Sequence, residues 1–538
     1  MKQIKAPVPV NFSKILIAAL FLTIILAVIG LWWLKNPRVA AFLIEHPIII
    51  LPYFIGKVGF LKVALGLIIT IGLIPLILFI PDAHSNQKNQ IIRGSSISDP
   101  KKVTKIMKAQ CRKEDSRYKH IQIGNIPLPQ KLENRGFFFF GDPGTGKSQS
   151  IKQVVSVFKT RPDMRGIIFD RNGEMLREFY DPKKDLIYNP FDSRSVHWSH
   201  INEIKVGVRP ETIAEALIPP PLKTDPNPFF PIAAAAVLSE LYRVLKNNKD
   251  LYQALIKKDE DLRNIVGGSL AERYLAEPKL ASSVVSSANN FCKFYRDIQE
   301  RKDENISFYE WGYNDNPRWL FISLTENDAP ILKPLHSMLF ELMLKGLLSN
   351  QNRQLKTVIV IDELGALNRL DSLGRLLSES RKFRGCPILG TQTPAQITKI
   401  YGKEETSILL QGTSTKLMLR CSDPVTSEEM AKIIGKSEEV RYKTNYSQTA
   451  PNMKSLGSKT RSTVQDFKEA YRVLPSEIQN LPDLSGYLKT IDVNYDSNLG
   501  GLTTSVKVPI VSFKGKQPSF IPLINKTKAQ TNIDLTKS

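Results

Sequence analysis

The chain has 538 residues, 42% of them hydrophobic and 23% charged, which is the composition of folded domains and excludes a largely disordered chain. Its 74 lysines and arginines exceed its 52 acidic residues and give a formal net charge of +22, which favours a polyanionic partner, nucleic acid or an anionic membrane face, over solubility alone. The cysteines at 111, 292, 386 and 421 lie far apart and argue against a disulfide framework or a zinc site.

Two apolar segments predict a membrane anchor in residues 1–82. As helices, residues 15–34 and 63–80 are each long enough to cross the hydrocarbon layer of about 30 Å. The apolar stretch between them, residues 39–56, is interrupted by charged residues and a proline, so we expect a loop near the far interface, with a re-entrant or third span as the alternative. The basic stretch 101–119 then reads as a cytoplasmic flank, with DNA contact as the alternative.

A phosphate-binding loop follows a short apolar strand at Gly136–Phe140 and precedes a helix predicted at Gln149–Thr160. The strand–loop–helix context is what distinguishes a Walker A motif from a chance match. In such a loop the backbone N–H groups surround the phosphates, Lys147 reaches the β and γ phosphates, and the Ser148 hydroxyl binds Mg²⁺. The predicted nucleotide-binding residues are Gly141, Asp142, Pro143, Gly144, Thr145, Gly146, Lys147 and Ser148.

A second apolar strand, Thr357–Ile361, ends in two carboxylates and predicts a Walker B motif. Asp362 is expected to hold Mg²⁺, usually through water, and Glu363 to act as the general base on the attacking water. The alternative is an ordinary parallel strand that happens to end in acids. A further strand at 387–390 is followed by Gln392, which we expect to sense the γ-phosphate or the attacking water.

The order of elements predicts an α/β ATPase core interrupted by a helical insertion. We expect residues 83–204 and 306–522 to form the two parts of the nucleotide-binding domain and residues 205–305 to form an all-helical inserted domain. Residues 440–465 are polar without an apolar period and predict an exposed loop, and 523–538 form a polar tail. The predicted helices of the insertion cover residues 211–217, 232–245, 251–265 and 280–301. Further strands are predicted at residues 166–170, 319–324, 416–420 and 486–493.

Several motifs besides the Walker pair resemble one family. They lie at residues 123–127, 170–174, 185–198, 379–392, 401–402 and 473–478. Together they make the chain, over roughly residues 10–515, similar to the type IV secretion system coupling proteins of bacterial conjugation (the TraD/TraG/TrwB-like family). General P-loop ATPases do not share this set.

The resemblance implies a RecA-like motor that uses ATP and Mg²⁺ and forms a homo-hexameric ring, anchored in the bacterial inner membrane with its body in the cytoplasm. It would move single-stranded DNA joined to a relaxase through a type IV secretion channel. The resemblance also makes Arg381 a candidate arginine finger for the neighbouring subunit, the alternative being a solvated basic helix end. Alternatives for the whole chain are the same motor delivering protein effectors, a double-stranded DNA pump, or a non-catalytic membrane receptor. The intact Walker residues argue against the last.

Overall fold

The computed structural model describes residues 90–114, 117–298, 304–448, 459–491, 501–511 and 517–522. The chain divides into two units, one of residues 1–90 and 440–466 and the other of residues 91–439 and 467–538. The predicted spans at 15–34 and 63–80, the loop between them and the tail at 523–538 lie outside the described residues. Within the described ranges, no helix is both long and apolar enough to cross a membrane.

The strands, in chain order, are β1 (Gln90–Gly94), β2 (Gln122–Ile123), β3 (Ile126–Pro127), β4 (Phe137–Phe140), β5 (Met164–Asp170), β6 (Leu186–Tyr188), β7 (Leu320–Ser323), β8 (Lys356–Ile361), β9 (Gly385–Thr391), β10 (Thr415–Leu419), β11 (Lys436–Gln448), β12 (Lys459–Tyr471), β13 (Ser485–Ile491) and β14 (Gly501–Lys507). The α-helices are α1 (Pro100–Lys113), α2 (Lys147–Phe158), α3 (Glu174–Phe179), α4 (His200–Lys205), α5 (Pro210–Leu217), α6 (Phe229–Val244), α7 (Asn248–Leu255), α8 (Asp259–Ile265), α9 (Pro278–Cys292), α10 (Phe308–Tyr313), α11 (Ala329–Leu347), α12 (Leu373–Glu379), α13 (Pro394–Tyr401), α14 (Lys403–Gln411), α15 (Pro424–Ile434) and α16 (Pro475–Gln479).

Nine of the described strands form one mixed sheet in the order β14-β13-β10-β4-β9-β8-β5-β7-β6. The strands from β10 to β6 run parallel, and β13 and β14 add an antiparallel edge. Such parallel strands are apolar along their whole length because helices cover both faces of the sheet. This accounts for the unbroken phenylalanine run of β4, in which all four side chains are fully buried.

The β4 strand contributes to the packed cores on both faces of the sheet. Phe137 and Phe139 pack in the cluster that includes the apolar residues of α2. Phe138 and Phe140, whose ring centroids are 4.5 Å apart, point into the other cluster with the apolar face of α11. The strand that carries the phosphate-binding loop is therefore held from both sides.

The segment between β6 and β7 is helical, from α4 to α10, and its buried apolar residues belong to the same core cluster as the sheet. Its separation as an inserted domain stays a prediction. The single helix expected at 251–265 was wrong: Lys258 has an extended backbone (ψ 150°) that ends α7 and begins α8. The three acids in the first turn of α8 favour a helix N-terminus at this point. The helix expected at 280–301 ends earlier, at Cys292, and continues as a 3₁₀ turn to Arg296.

The exposed loop expected at 440–465 was also wrong, because β11 and β12 cover most of it. With β1 they form a second sheet in the order β1-β11-β12. The missed signal was alternation of β-forming residues, with Val440, Tyr442, Thr444 and Tyr446 at every second position. The abundance of Ser, Thr, Lys and Asn concealed this period.

The helices α10 and α11 cross at a contact made by two glycines. A Cβ atom on Gly312 would lie 2.2 Å from the Met343 carbonyl oxygen, and one on Gly346 would lie 2.1 Å from the Tyr309 carbonyl oxygen. The two backbones are thus closer than any side chain at these positions would permit. The buried Arg165 also hydrogen-bonds the Gly312 carbonyl and so satisfies the end of α10.

Candidate nucleotide-binding site

The predicted phosphate-binding loop connects the carboxyl end of β4 to the first residue of α2. Gly144 and Gly146 have φ angles of +80° and +109°, in the left-handed region that favours glycine. No atom lies within 4 Å of where a Gly144 Cβ would be. The loop therefore presents a bare backbone at the N-terminus of a twelve-residue helix, an arrangement that binds phosphate groups.

The two Walker motifs, more than 200 residues apart in sequence, meet at this loop. Lys147 Nζ lies 2.9 Å from Glu363 Oε2, with both side chains about nine-tenths buried. Ser148 Oγ donates a hydrogen bond of 2.9 Å to Asp362 Oδ2. Burial raises the pKa of Asp362, and the nearby Lys147 ammonium opposes that rise. The structure thus brings together the four residues that the motifs predicted to act together.

The donor atoms at this point suit a magnesium ion. Asp362 Oδ1 and Glu363 Oε1 are buried and have no hydrogen-bond partner among the described residues. Mg²⁺ binds through one or two protein oxygens and completes its shell with waters and substrate phosphates. A hydroxyl beside a carboxylate fits that pattern. Within the described ranges no group of three or more His, Cys, Asp or Glu side chains could hold a metal ion without such help.

Gln392 lies between the two motifs because β9 lies between β4 and β8 in the sheet. It directly follows Thr391, which pairs with the last residue of β4. The close approach of β8 and β9 requires Gly390, since a Cβ there would lie 2.2 Å from the Asp362 carbonyl oxygen. The partly exposed Gln392 is therefore at the crevice where carboxyl ends of parallel strands meet a ligand.

Arg381 is not part of the site in its own chain. It is exposed in the turn that precedes β9, and no described residue forms an ion pair with it. The seven residues of β9 separate this turn from Gln392. At about 3.3 Å per residue, Arg381 lies roughly 20 Å from the phosphate-binding loop, at the opposite edge of the sheet.

Contacts that sequence analysis missed hold the loop in place. The Asp142 carboxylate accepts hydrogen bonds from the backbone N–H and the hydroxyl of Ser422, at 2.8 and 2.6 Å. The Leu484 backbone N–H donates to the Thr145 carbonyl at 3.0 Å. Ser422 is 280 residues from Asp142, and neither Ser422 nor Leu484 belongs to a local motif. No signal in a single sequence would have found them.

A third acid lies beside the Walker B pair. Asp170 ends β5, the strand next to β8, and its carboxylate accepts hydrogen bonds from the N–H groups of Glu174 and Leu176 at the start of α3. Burial raises the pKa of Asp170 to about 7. One turn after Ser148 on α2, Lys152 forms ion pairs with Glu174 and Glu178, which tie α3 to the phosphate-binding helix.

These features define a P-loop nucleotide-binding protein of the α/β class, with a RecA-like order in which one strand separates the Walker A and Walker B strands. The family model for the type IV secretion-system coupling protein DNA-binding domain matches residues 120–495. The chain therefore belongs to the family of type IV secretion-system coupling proteins, as its motifs predicted.

One relative by sequence and several solved structures agree with this assignment. The chain is 30% identical over 417 residues to the coupling protein TraD of Escherichia coli (strain K12), which covers 74% of this chain and 56% of TraD. It thus spans little more than half of that relative. The unbound bacterial conjugative coupling protein TrwBdeltaN70 superimposes with a TM-score of 0.67 at 27% identity, covering 81% of this chain and 96% of TrwBdeltaN70. Structures of TrwB have also been solved with the ATP analogue ADPNP and with ADP and Mg²⁺. Each of these two structures is 26% identical to this chain, superimposes with a TM-score of 0.67, and matches over 81% of this chain and 98% of TrwB.

Proposed function

We propose that this chain is an ATP-driven coupling protein, which links a DNA–relaxase complex to a type IV secretion channel and moves single-stranded DNA during conjugation. The observation that carries the proposal is the meeting of Lys147 and Ser148 with Glu363 and Asp362 at a helix N-terminus. Family membership and the TrwB complexes with ADPNP and with ADP and Mg²⁺ support ATP and Mg²⁺ as its cofactors.

In the proposed site each residue has a defined task. The backbone N–H groups that the loop offers over residues 141–148, where Pro143 has none, bind the phosphates, and Lys147 leaves Glu363 to contact the β and γ phosphates. Ser148 and Asp362 hold Mg²⁺, which would offset the negative charge of the phosphates. Glu363 then accepts a proton from the attacking water, while Gln392 orients that water from the end of β9.

The proposed assembly is a homo-hexamer at the bacterial inner membrane, with two spans at 15–34 and 63–80 and the ATPase body in the cytoplasm. The position of Arg381 at the sheet edge opposite the phosphate loop supports action on a neighbour's nucleotide. Arg381 cannot reach the nucleotide site of its own chain. It therefore has a catalytic role only where subunits meet head to tail. Relaxase and secretion-channel proteins are the proposed partners.

The test is ATP hydrolysis by the full chain in nanodiscs, measured alone and with circular single-stranded DNA, linear duplex DNA or heparin at equal phosphate concentration. We expect single-stranded DNA to raise the rate most, and Lys147→Ala to abolish hydrolysis under every condition. Stronger activation by duplex DNA would favour a double-stranded DNA pump. No response to any polyanion would favour delivery of protein effectors, and hydrolysis unchanged in Lys147→Ala would refute the nucleotide site.

A further inference from the structure

The outer face of α1 carries a row of cations that the nucleotide site does not use. Its buried residues Val103 and Met107 face the body of the protein, where the helix packs against β3 and β14. On the opposite side, at spacings of four, three and four residues, lie four exposed cations that we call the basic stripe, Lys101, Lys105, Lys108 and Arg112. At 1.5 Å per residue the basic stripe is about 16 Å long.

The basic stripe is unpaired within the described part of the chain. None of its four side chains forms an ion pair there, and α1 contains no acid. The nearest acid beyond the helix end, Glu114, is engaged by the backbone N–H groups of Gln130 and Lys131. Like charges four residues apart on a helix repel and destabilise it. The electrostatic free energy of the basic stripe is therefore unfavourable in isolation and becomes favourable beside a polyanion.

The surroundings favour lipid headgroups over nucleic acid. Sites for single strands combine a basic groove with aromatic side chains on which bases stack. The basic stripe lies on a convex helix face, and α1 has no aromatic residue. Tyr118, which follows the helix, is occupied by the Arg161 guanidinium 5.2 Å from its ring centre. A row of unpaired ammonium groups without stacking partners suits phosphate headgroups at a flat surface.

We propose that the basic stripe docks on anionic headgroups of the cytoplasmic leaflet and holds the ATPase body against the membrane. This inference rests on the proposed membrane anchor, because α1 is the first helix described after the predicted span at 63–80 and begins 20 residues beyond it. Each lysine or arginine close to an anionic leaflet strengthens association about fivefold. Removing the four therefore lowers the association constant of α1 with the surface by at least about a hundredfold.

The experiment uses the full chain in nanodiscs of either neutral phosphatidylcholine or a mixture with anionic phosphatidylglycerol. Lys102 and Lys113, which flank the basic stripe, serve as probes in every variant: their rates of acetylation by an amine reagent are read by peptide mass spectrometry. We expect both to be protected in anionic discs, unprotected in neutral discs, and exposed again at 1 M salt, where the Debye length falls to about 3 Å. Lys101→Gln/Lys105→Gln/Lys108→Gln/Arg112→Gln should abolish the protection.

A matched control variant replaces four exposed cations elsewhere by glutamine, and the protection of Lys102 and Lys113 in anionic discs should persist in it. These four cations are Lys249, Lys257, Lys258 and Lys279. Extraction with alkaline carbonate tests the anchor separately. A chain that carbonate releases refutes the proposed anchor. A retained chain whose probes react equally in both lipids refutes the docking surface. Protection of the two probe lysines by single-stranded DNA in neutral discs would overturn the proposed lipid contact in favour of a nucleic-acid contact.

Discussion

At the scale of single residues, the Lys147 ammonium and the Glu363 carboxylate form an ion pair within the proposed nucleotide site. The carboxylate holds the ammonium that the phosphates need, so nucleotide must displace Glu363 before Lys147 can bind it. This competition reduces apparent affinity by the fraction of sites in which the pair is closed. In the proposed mechanism, the same displacement frees Glu363 to face the attacking water.

Glu363→Gln should therefore abolish hydrolysis while nucleotide affinity stays equal or rises. The amide cannot accept the proton from water, and it pairs with Lys147 less strongly than a carboxylate does. Fluorescent-nucleotide titration and phosphate release on the full chain measure the two effects. The matched control is Glu326→Gln, which neutralises an exposed acid paired with Arg171 and should change neither. Normal turnover by the Glu363 variant would disprove the assignment of the base.

His336 makes the fold sensitive to acid. It is fully buried between Phe169 and Tyr188, neither ring nitrogen has a hydrogen-bond partner among the described residues, and burial lowers its pKa to about 3. In the unfolded chain this histidine takes up a proton near pH 6.5, whereas in the folded chain it stays neutral. The free energy of unfolding therefore falls as the pH falls below 6.5.

The linkage amounts to about 2 kcal/mol between pH 7 and pH 5. His336→Leu should remove that part of the stability lost between pH 7 and pH 5. The unfolding temperature, followed by tryptophan fluorescence, should then drop less between these pH values than it does in the unaltered chain. Equal drops in the two proteins would show that His336 is not the group responsible.

The meeting of the two Walker motifs could be predicted from sequence because local spacing encodes it. Lys147, Ser148, Asp362 and Glu363 each follow a strand within a short motif, and parallel strands deliver their ends to one crevice. The support of the loop by Ser422 could not be predicted, because it depends on which strand pairs with β4. That pairing is a property of the whole sheet.

At the scale of elements, apolar strands were found and polar ones were missed. The buried strands β4, β5, β8 and β9 show as continuous apolar runs, whereas the sequences of β11 and β12 are rich in polar residues and resemble a loop by composition. The break between α7 and α8 was missed because Leu262, seven residues after Leu255, resumes the apolar period in phase beyond the charged residues 257–261. The start of α8 is marked instead by the acids of its first turn, a local signal that the apolar period does not contain.

The crossing of α10 and α11 gives a test at this scale. Gly346→Ala places a methyl group 2.1 Å from the Tyr309 carbonyl oxygen, on backbone that cannot move without parting the helices. We expect a loss of about 2 kcal/mol or more, as for other overpacked sites, measured as a lower midpoint of unfolding. The exposed Ser349→Ala, just beyond the same helix, should cost less than about 0.5 kcal/mol. A Gly346 variant as stable as this control would show that the two helix backbones do not approach so closely at the crossing.

At the scale of the whole molecule, the proposed ring predicts complementation between two inactive variants. Lys147→Ala cannot hydrolyse its own nucleotide but still offers Arg381 to a neighbour. Arg381→Ala has an intact phosphate loop, yet in a pure ring it lacks the neighbour's guanidinium. Each alone should hydrolyse ATP at least about 10³-fold more slowly than the unaltered chain.

Mixing the two before reconstitution should restore activity well above the sum of the parts, at up to about a quarter of the unaltered rate for random placement in a head-to-tail ring. Mixing Lys147→Ala with Glu363→Gln, both of which lack a working site, is the control and should restore nothing. Absence of rescue in the first mixture would favour the alternative interpretation, in which Arg381 is a solvated basic residue without a catalytic role.

The strand β9 has a mechanical consequence. Gln392 follows its last residue, at the proposed nucleotide site of its own chain, and Arg381 lies four positions before its first, at the edge proposed to meet the next subunit. The seven residues of β9 are all buried, with β4 and β8 hydrogen-bonded on either side. A segment held in this way behaves as a stiff rod, so a displacement of one tip is transmitted to the other. One strand could thus serve as the lever by which each subunit reports the state of its own nucleotide to its neighbour, in one direction around a ring.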